Sequence, residues 1–316
     1  MDCPMPGTWQ TRRMEPTTYI WLDGEMVPWE DANVHVLSHA LHYGTGVFEG
    51  IRAYETSVGT AVLRLTDHMD RLHRSAKAYQ MELEWSVEDL AKAAKELLTA
   101  NELEAAYLRP LVFLELGAVG LNPANARVRS TIISWRWGAY LGEDGVRNGI
   151  RAGVSSWRRF SADTFPNAKA TGTYINSILA KREAIHNGYD EAIMLNTDGV
   201  IAEGSGENLF FIRDGIVYTP PINSGCLDGI TRDSVVTLLR EDGYEVREAT
   251  MHRSDLYYCD ELFLTGTAAE VTPIREVDER PVGDGSPGKV TRRAQELFAA
   301  LVSGKLDRHP EWLEYV

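Results

Sequence analysis

Apolar and polar residues along this chain change their spacing several times, and each change marks an element. Near the start, Tyr19–Leu22 and residues 25–29 flank Asp23-Gly24, the signature of a β-hairpin. From residue 66 the period lengthens, and Met69, Leu72, Ala76 and Tyr79 fall on one side of a helix over residues 66–79. Ser86 followed by Asp89 is close to a capping box and opens a second helix to about residue 101. Two strand-like runs, Ala106–Leu114 and residues 130–137, complete an α+β unit with antiparallel hairpins. Residues 138–148 are glycine-rich and polar, as an interdomain loop would be. After them come a strand over 150–157 and a helix over 174–187 that ends at Asn187-Gly188. Short runs at 191–195, 200–202, 208–212 and 216–218 follow, with Asp-Gly turns at 198–199 and 214–215; they predict antiparallel strands. Helices over 231–241 and 288–302 close the chain. The expectation is an α+β protein with a small domain at 19–137, a loop at 138–148, a larger domain at 149–316 and a ligand site between them.

Composition narrows the classes. The 316 residues are 44% hydrophobic and 25% charged, with a net charge of -14. An acidic chain repels phosphate backbones, so no nucleic-acid partner is expected. Its longest apolar runs are strand-length, so no membrane span is expected either. Residues 1–18 hold charges and prolines without an apolar core; they predict a disordered lead-in, or a start assigned upstream of the true one, rather than a secretory signal. Cys3, Cys226 and Cys259 lie far apart, which argues against disulfides or a thiolate metal site and fits a reducing, cytoplasmic setting.

His35, His39 and His42 stand at i, i+4 and i+7, on one face if the segment is helical, and Gly44 and Gly46 follow. A metal site, a phosphate loop and plain packing all compete for this stretch. No carboxylate or cysteine completes a ligand set at a usual spacing, so no metal is expected. Lys169 stands apart from the other lysines, which fall in amphipathic helical windows or at helix ends. Small residues surround it and no charge lies within five positions on either side. Such an amine can lose its proton and attack a carbonyl, although a loop lysine in an apolar neighbourhood is not rare. Three turns add to it. Glu203 enters the small-residue turn Gly204-Ser205-Gly206. Gly229 precedes a helix start at Ile230-Thr231, which suits either an anion or a simple cap. A strand runs into Thr265-Gly266-Thr267-Ala268, which offers hydroxyl and amide donors.

Together these pieces resemble the branched-chain amino-acid aminotransferases of the class IV (fold-type IV) pyridoxal-phosphate enzymes. HALHYGTGVFEGIRAY, HMDRLHRSAK, YLRPL, WGAYLG, AKATGTY, EGSGENLF, LDGITRD and TGTAAE occur in that order between about residues 19 and 300. The resemblance implies a two-domain D-amino-acid-aminotransferase-like fold and pyridoxal 5'-phosphate as cofactor. Lys169 would be the catalytic lysine that bonds to the cofactor, Glu203 the partner of the pyridine nitrogen and Tyr174 the partner of the ring oxygen. Arg71, Ile230, Thr231 and Thr267 would form the phosphate cup, with Asn208 and Leu227 beside the ring. Tyr107, Thr267 and Ala268 would hold the substrate α-carboxylate. Phe48, Trp137, Tyr140 and Tyr174 would wall the side-chain pocket, Tyr43 and Leu121 would reach in from a neighbouring subunit, and Arg109 would take the distal carboxylate of glutamate. The implied reaction is ping-pong amino-group exchange between L-leucine, isoleucine or valine and 2-oxoglutarate, giving 2-oxo acids and glutamate. A homodimer is the implied minimum, and some members are hexamers. The same fold also serves D-amino-acid and (R)-amine transaminases and aminodeoxychorismate lyase. Two departures stand out: Asp228 where members carry proline, and the loop at residues 114–120 over the substrate pocket.

Overall fold

Two sheets and the helices laid on them make up the molecule in a computed structural model that describes residues 15–117, 120–137, 142–161 and 163–316. The first sheet runs Leu313–Tyr315, Gly59–Leu63, Ile51–Thr56, Ala106–Leu114, Val128–Trp135, Tyr19–Leu22, Glu25–Pro28, with Gly46–Phe48 also paired to Ala106–Leu114. Its pairings are antiparallel. The expected hairpin turns at Asp23 (φ 46) and Gly24 (φ 96), the left-handed pair that a tight hairpin demands. Helices Leu65–Ala78 and Val87–Ala100 cover this sheet, burying Met69, Leu72 and Ala76 from one and Leu90, Ala94 and Leu97 from the other. The capping box is present: Asp89 N donates to Ser86 Oγ and Ser86 N to Asp89 Oδ2, each at 3.1 Å. Tyr79, expected inward, is only half-buried because the helix ends before it.

The second sheet runs Ile201–Gly204, Glu191–Leu195, Ile150–Val154, Glu270–Val277, Glu261–Gly266, Asn208–Arg213, Ile216–Thr219, Val246–Glu248, with Arg280–Pro281 beside Glu270–Val277. Most pairs are antiparallel as expected, but Ile150–Val154 pairs parallel with both its neighbours, and Ile216–Thr219 pairs parallel with Val246–Glu248. Topology explains two of these. Helix Tyr174–His186 links Ile150–Val154 to Glu191–Leu195, and helix Ile230–Glu241 links Ile216–Thr219 to Val246–Glu248. A helical crossover returns the chain to the same edge, so adjoining strands must run parallel.

The expected loop at 138–148 is in part a helix, Gly142–Asn148; residues 138–141 lie outside the described residues. The expected lead-in is described from residue 15, and its end is tied down, with Thr17 Oγ1 donating to Ser134 O at 3.0 Å. The two sheets also share a core. Tyr54, Ala61, Leu63 and Leu313 of the first pack with Phe210 and Phe263 of the second and with helices Ile230–Glu241 and Lys289–Val302. Burying each such phenylalanine contributes about 2 kcal/mol. No described helix is long and apolar enough to cross a membrane.

Candidate active site

A cleft opens where the second sheet meets helix Leu65–Ala78 of the first half. Arg71, Lys169, Tyr174, Glu203, Asn208, Leu227, Ile230, Thr231 and Thr267 all line it. They come from separate places: Arg71 from helix Leu65–Ala78, Lys169 from the loop before helix Tyr174–His186, Glu203 from a strand, Ile230 and Thr231 from a helix start. Lys169 Nζ donates to the Tyr174 hydroxyl at 2.7 Å. Glu203 is buried and accepts from Leu227 N at 2.9 Å and from Asn208 Nδ2 at 3.5 Å. The helix beginning at Ile230 has Gly229 as its N-cap and no side-chain cap, so its first amides lack an intrahelical partner. Gly229 cannot be replaced: a Cβ there would sit 1.9 Å from Asn208 Oδ1. Asp228 is exposed; only its carbonyl faces inward, accepting from Arg71 Nη1 at 2.7 Å.

Three residues that sequence reasoning missed complete this end. Glu49 is fully buried and accepts Arg71 Nε and Nη2, each at 2.7 Å, and His68 Nδ1 at 2.7 Å. Burial alone would raise its carboxyl, but the Arg71 guanidinium and then His68 outweigh burial and hold it well below the usual range. Burial pushes His68 downward despite that carboxylate, so a neutral imidazole donates from Nδ1. Arg159, also buried, pairs with Glu203 at 2.7 Å. A signal for Glu49 and His68 did exist in FEG and HMDR, but both sit in strand or helix patterns that read as structural.

An aromatic end adjoins the cleft through Tyr174, although Phe48, Tyr107, Arg109 and Trp137 are not among the residues that line it. The Phe48 ring lies 4.8 Å from Tyr174, the Arg109 guanidinium 4.8 Å from Phe48 and 5.3 Å from Tyr107, and Tyr107 4.7 Å from Trp137. Arg109 Nε is buried without a hydrogen-bond partner, and no acid pairs with Arg109 among the described residues. Ala268 follows Thr267 in the turn between two adjacent strands and is half-buried. Tyr43 and Leu121 are 43% and 86% exposed and do not line the cleft of their own chain. Tyr140 lies outside the described residues, as do residues 118 and 119 of the 114–120 loop.

The three histidines do not share a helix face. The helix spans only His39–Tyr43, because Gly44 turns left-handed (φ 67) and ends it, and His35 precedes it. His39 bonds Thr45 Oγ1 at 2.8 Å and Gly120 O at 2.9 Å, and His42 bonds Val36 O at 2.9 Å. The glycine here serves contact rather than phosphate: Gly172 N donates to Gly44 O at 3.1 Å, and a Cβ on Gly44 would sit 2.7 Å from Gly172 Cα. That contact seats the loop carrying Lys169. No cluster of three metal-ligating side chains occurs among the described residues.

Residues 46–277 match the family described as amino-transferase class IV. A branched-chain-amino-acid aminotransferase of Pseudomonas aeruginosa is 49% identical to the chain over 294 residues, covering 93% of it and 95% of the relative. The crystal structure of the Escherichia coli branched-chain amino acid aminotransferase superposes with a TM-score of 0.93 at 48% identity, covering 95% and 99% of the two chains. That of the branched-chain amino acid aminotransferase from Thermobaculum terrenum, in its PLP-form, gives 0.88 at 37% identity, covering 94% and 97%.

Proposed function

The chain belongs to the branched-chain-amino-acid aminotransferase family of the class IV aminotransferases, and from that premise we propose that it moves amino groups between L-leucine, isoleucine or valine and 2-oxoglutarate, with pyridoxal 5'-phosphate as cofactor. One observation carries the reading: a single cleft holds the Lys169–Tyr174 pair, the buried Glu203 and an uncapped helix start beside a buried arginine. These residues fit the cofactor. Arg71 engages three of its five N–H groups with Glu49 and Asp228 and keeps two for a phosphate. The free amides at Ile230 and Thr231 and the hydroxyl of Thr267 add neutral donors at the positive end of a helix.

Pyridoxal phosphate, when bound, supplies a ring that accepts electrons and makes the substrate α-carbon proton acidic. The protein does the rest. Glu203 would hold a proton at the ring nitrogen, and Arg159 pairs with that carboxylate and aims it. The Tyr174 hydroxyl orients Lys169 Nζ, the base that would take the α-carbon proton and return it on the other side of the transfer. Tyr107, Thr267 and Ala268 would hold the α-carboxylate. Phe48, Trp137 and Tyr140 would give branched side chains a dry wall, while Arg109 would meet the far carboxylate of glutamate; leaving that carboxylate unpaired would cost several kcal/mol.

The exposed faces support a dimer. Val36, Leu37, Leu41, Tyr43 and Leu121 form one apolar group, and Ile175, Ile178, Leu179 and Ile185 form a stripe on helix Tyr174–His186. Burying them in a second copy would bring the partner's Tyr43 and Leu121 to the cleft. A substrate panel tests the reading: leucine, isoleucine and valine with 2-oxoglutarate should turn over, and D-alanine and (R)-amines should not. Turnover of D-alanine alone would transfer the chain to a rival activity.

A further inference from the structure

Glu270 ends the turn that follows Gly266, and its backbone is left-handed at φ 52, where glycine or asparagine is the usual occupant. Its side chain is anchored across the molecule. Arg52 Nη1 donates to Glu270 Oε1 at 2.8 Å. Burial first, and then the Glu270 charge, push the Tyr54 phenol well above its ordinary value, so it stays a donor. The Arg52 guanidinium also lies 4.8 Å from the Tyr54 ring. Inside the turn, Thr272 Oγ1 donates to Ala269 O at 2.7 Å.

Arg52 and Tyr54 belong to strand Ile51–Thr56, where Arg52 stands opposite Tyr107. Just ahead of that strand, Gly50 leaves room for the Tyr107 hydroxyl: a Cβ there would sit 2.0 Å from it. One strand of the first sheet therefore touches Tyr107 directly and, through Glu270, the turn at residues 267–269 of the second sheet. A strained backbone persists where its surroundings over-determine it. The Arg52 bridge is that determinant.

We propose that Glu270, held by Arg52, is the positioning residue that fixes the 267–269 turn against Tyr107, and so sets the distance across the site for the α-carboxylate that every substrate carries. The inference rests on the reading that Tyr107, Thr267 and Ala268 hold that carboxylate. Charge sharpens it. Glu270 is itself an anion near the site, neutralised by Arg52. Its loss should help an anionic substrate if charge alone mattered, and should hinder it if position matters.

The test compares wild type with Glu270→Gln, Arg52→Met and Glu270→Gly as holoenzymes, on leucine and on glutamate. For Glu270→Gln, KM should rise about tenfold, the worth of one charge-assisted hydrogen bond, by the same factor for both substrates. kcat should change less, and the visible cofactor absorbance and cofactor release rate should stay as in wild type. Arg52→Met should raise KM further, because it leaves a bare carboxylate near the substrate anion. Glu270→Gly relieves the left-handed strain, so it should melt no lower than wild type and still show the raised KM. An unchanged or lowered KM in Glu270→Gln, or a change confined to glutamate, overturns the inference. A wild type that neither exchanges amino groups nor binds 4-methylpentanoate, the carbon skeleton of leucine without its amino group, overturns the parent reading and the inference with it. A wild type that does both, beside variants that match it, overturns the inference alone.

Discussion

In the cleft Arg71 is gripped by Glu49 on two nitrogens, with His68 bracing the same carboxylate; at the aromatic end beside it, Arg109 lies among Phe48, Tyr107 and Trp135, with no acid paired to it among the described residues. Both are half-buried or buried cations, yet one is locked and the other has, among the described residues, only a long bond to the Tyr107 hydroxyl at 3.4 Å. Under the proposed function the contrast follows from what each would hold. A cofactor phosphate stays, so a rigid, pre-paired donor loses nothing by being fixed. A substrate carboxylate comes and goes in alternation with an apolar side chain, so its cation must rest on aromatic faces that suit either occupant. The locked end is also built by one chain, whereas Tyr43 and Leu121 stand exposed outside the open end.

The largest expected effect falls on the lysine between the two ends. Lys169→Ala should lose the visible cofactor absorbance and lower kcat by about 10⁴-fold, the upper range for a positioned base. Appreciable leucine turnover in that variant, with the absorbance intact, would remove Lys169 from the chemistry. Next comes the lock. Glu49→Gln keeps the shape and removes the charge that Arg71 and His68 share. Breaking a buried pair costs roughly 3 kcal/mol, so cofactor should dissociate on the order of 100-fold faster, with the KM for leucine nearly unchanged once cofactor is saturating. A variant that holds cofactor normally would show that the grip on Arg71 is only structural.

How much of this contrast the sequence carried depends on how local each feature is. Lys169, Glu203 and the Gly229-Ile230-Thr231 helix start left short-range patterns that more than one reading fitted, and the family resemblance chose among them. The helices, the hairpin at Asp23-Gly24 and the capping box at Ser86 were legible, because caps and turns leave a short-range pattern. Glu49 and Arg159 were not, since each owes its role to a partner 22 or more positions away. The parallel strands were hidden too: pairing direction depends on which strand a helix returns beside, and no window of residues states that. The left-handed Glu270 reads in sequence as an ordinary end to TGTAAE. The three histidines share no face because the helix begins only at His39 and leaves His35 outside it.

Smaller effects probe the open end. Arg109→Met should raise the KM for 2-oxoglutarate on the order of 100-fold through loss of a desolvated charge pair, while leucine changes no more than about threefold. Equal losses on both substrates would mean that Arg109 holds the aromatic wall and not the carboxylate. Tyr43→Ala should raise KM for the branched substrates by about tenfold and leave the cofactor absorbance in place. A colourless Tyr43→Ala protein would put Tyr43 at the locked end instead.

The smallest expected effect lies under the locked end. Glu207 lines the cleft floor with its carboxyl buried, accepting from Gly206 N at 3.1 Å. Beside it stand Glu191, fully buried, Lys181, which pairs with Glu191, and Glu203. One lysine cannot neutralise both Glu191 and Glu207. Burial first, and then the Glu191 charge, push Glu207 up to about 8 against the pull of Lys181. Folded protein therefore keeps a proton on Glu207 at neutral pH that the unfolded chain releases above its ordinary value of 4.5. The stability linked to that proton is full below 4.5, declines as pH rises through the window up to about 8 and is gone above it. Glutamine copies the protonated acid and does not titrate. Glu207→Gln should match wild type near the bottom of that window and melt progressively higher as pH rises, reaching an advantage on the order of a few degrees at its top. Melting curves at saturating cofactor across the window decide it. A constant difference at every pH would mean that Glu207 is ionised throughout, with a buried second anion beside Glu203, and the locked end would then owe its order to paired charge at the Arg71 side alone.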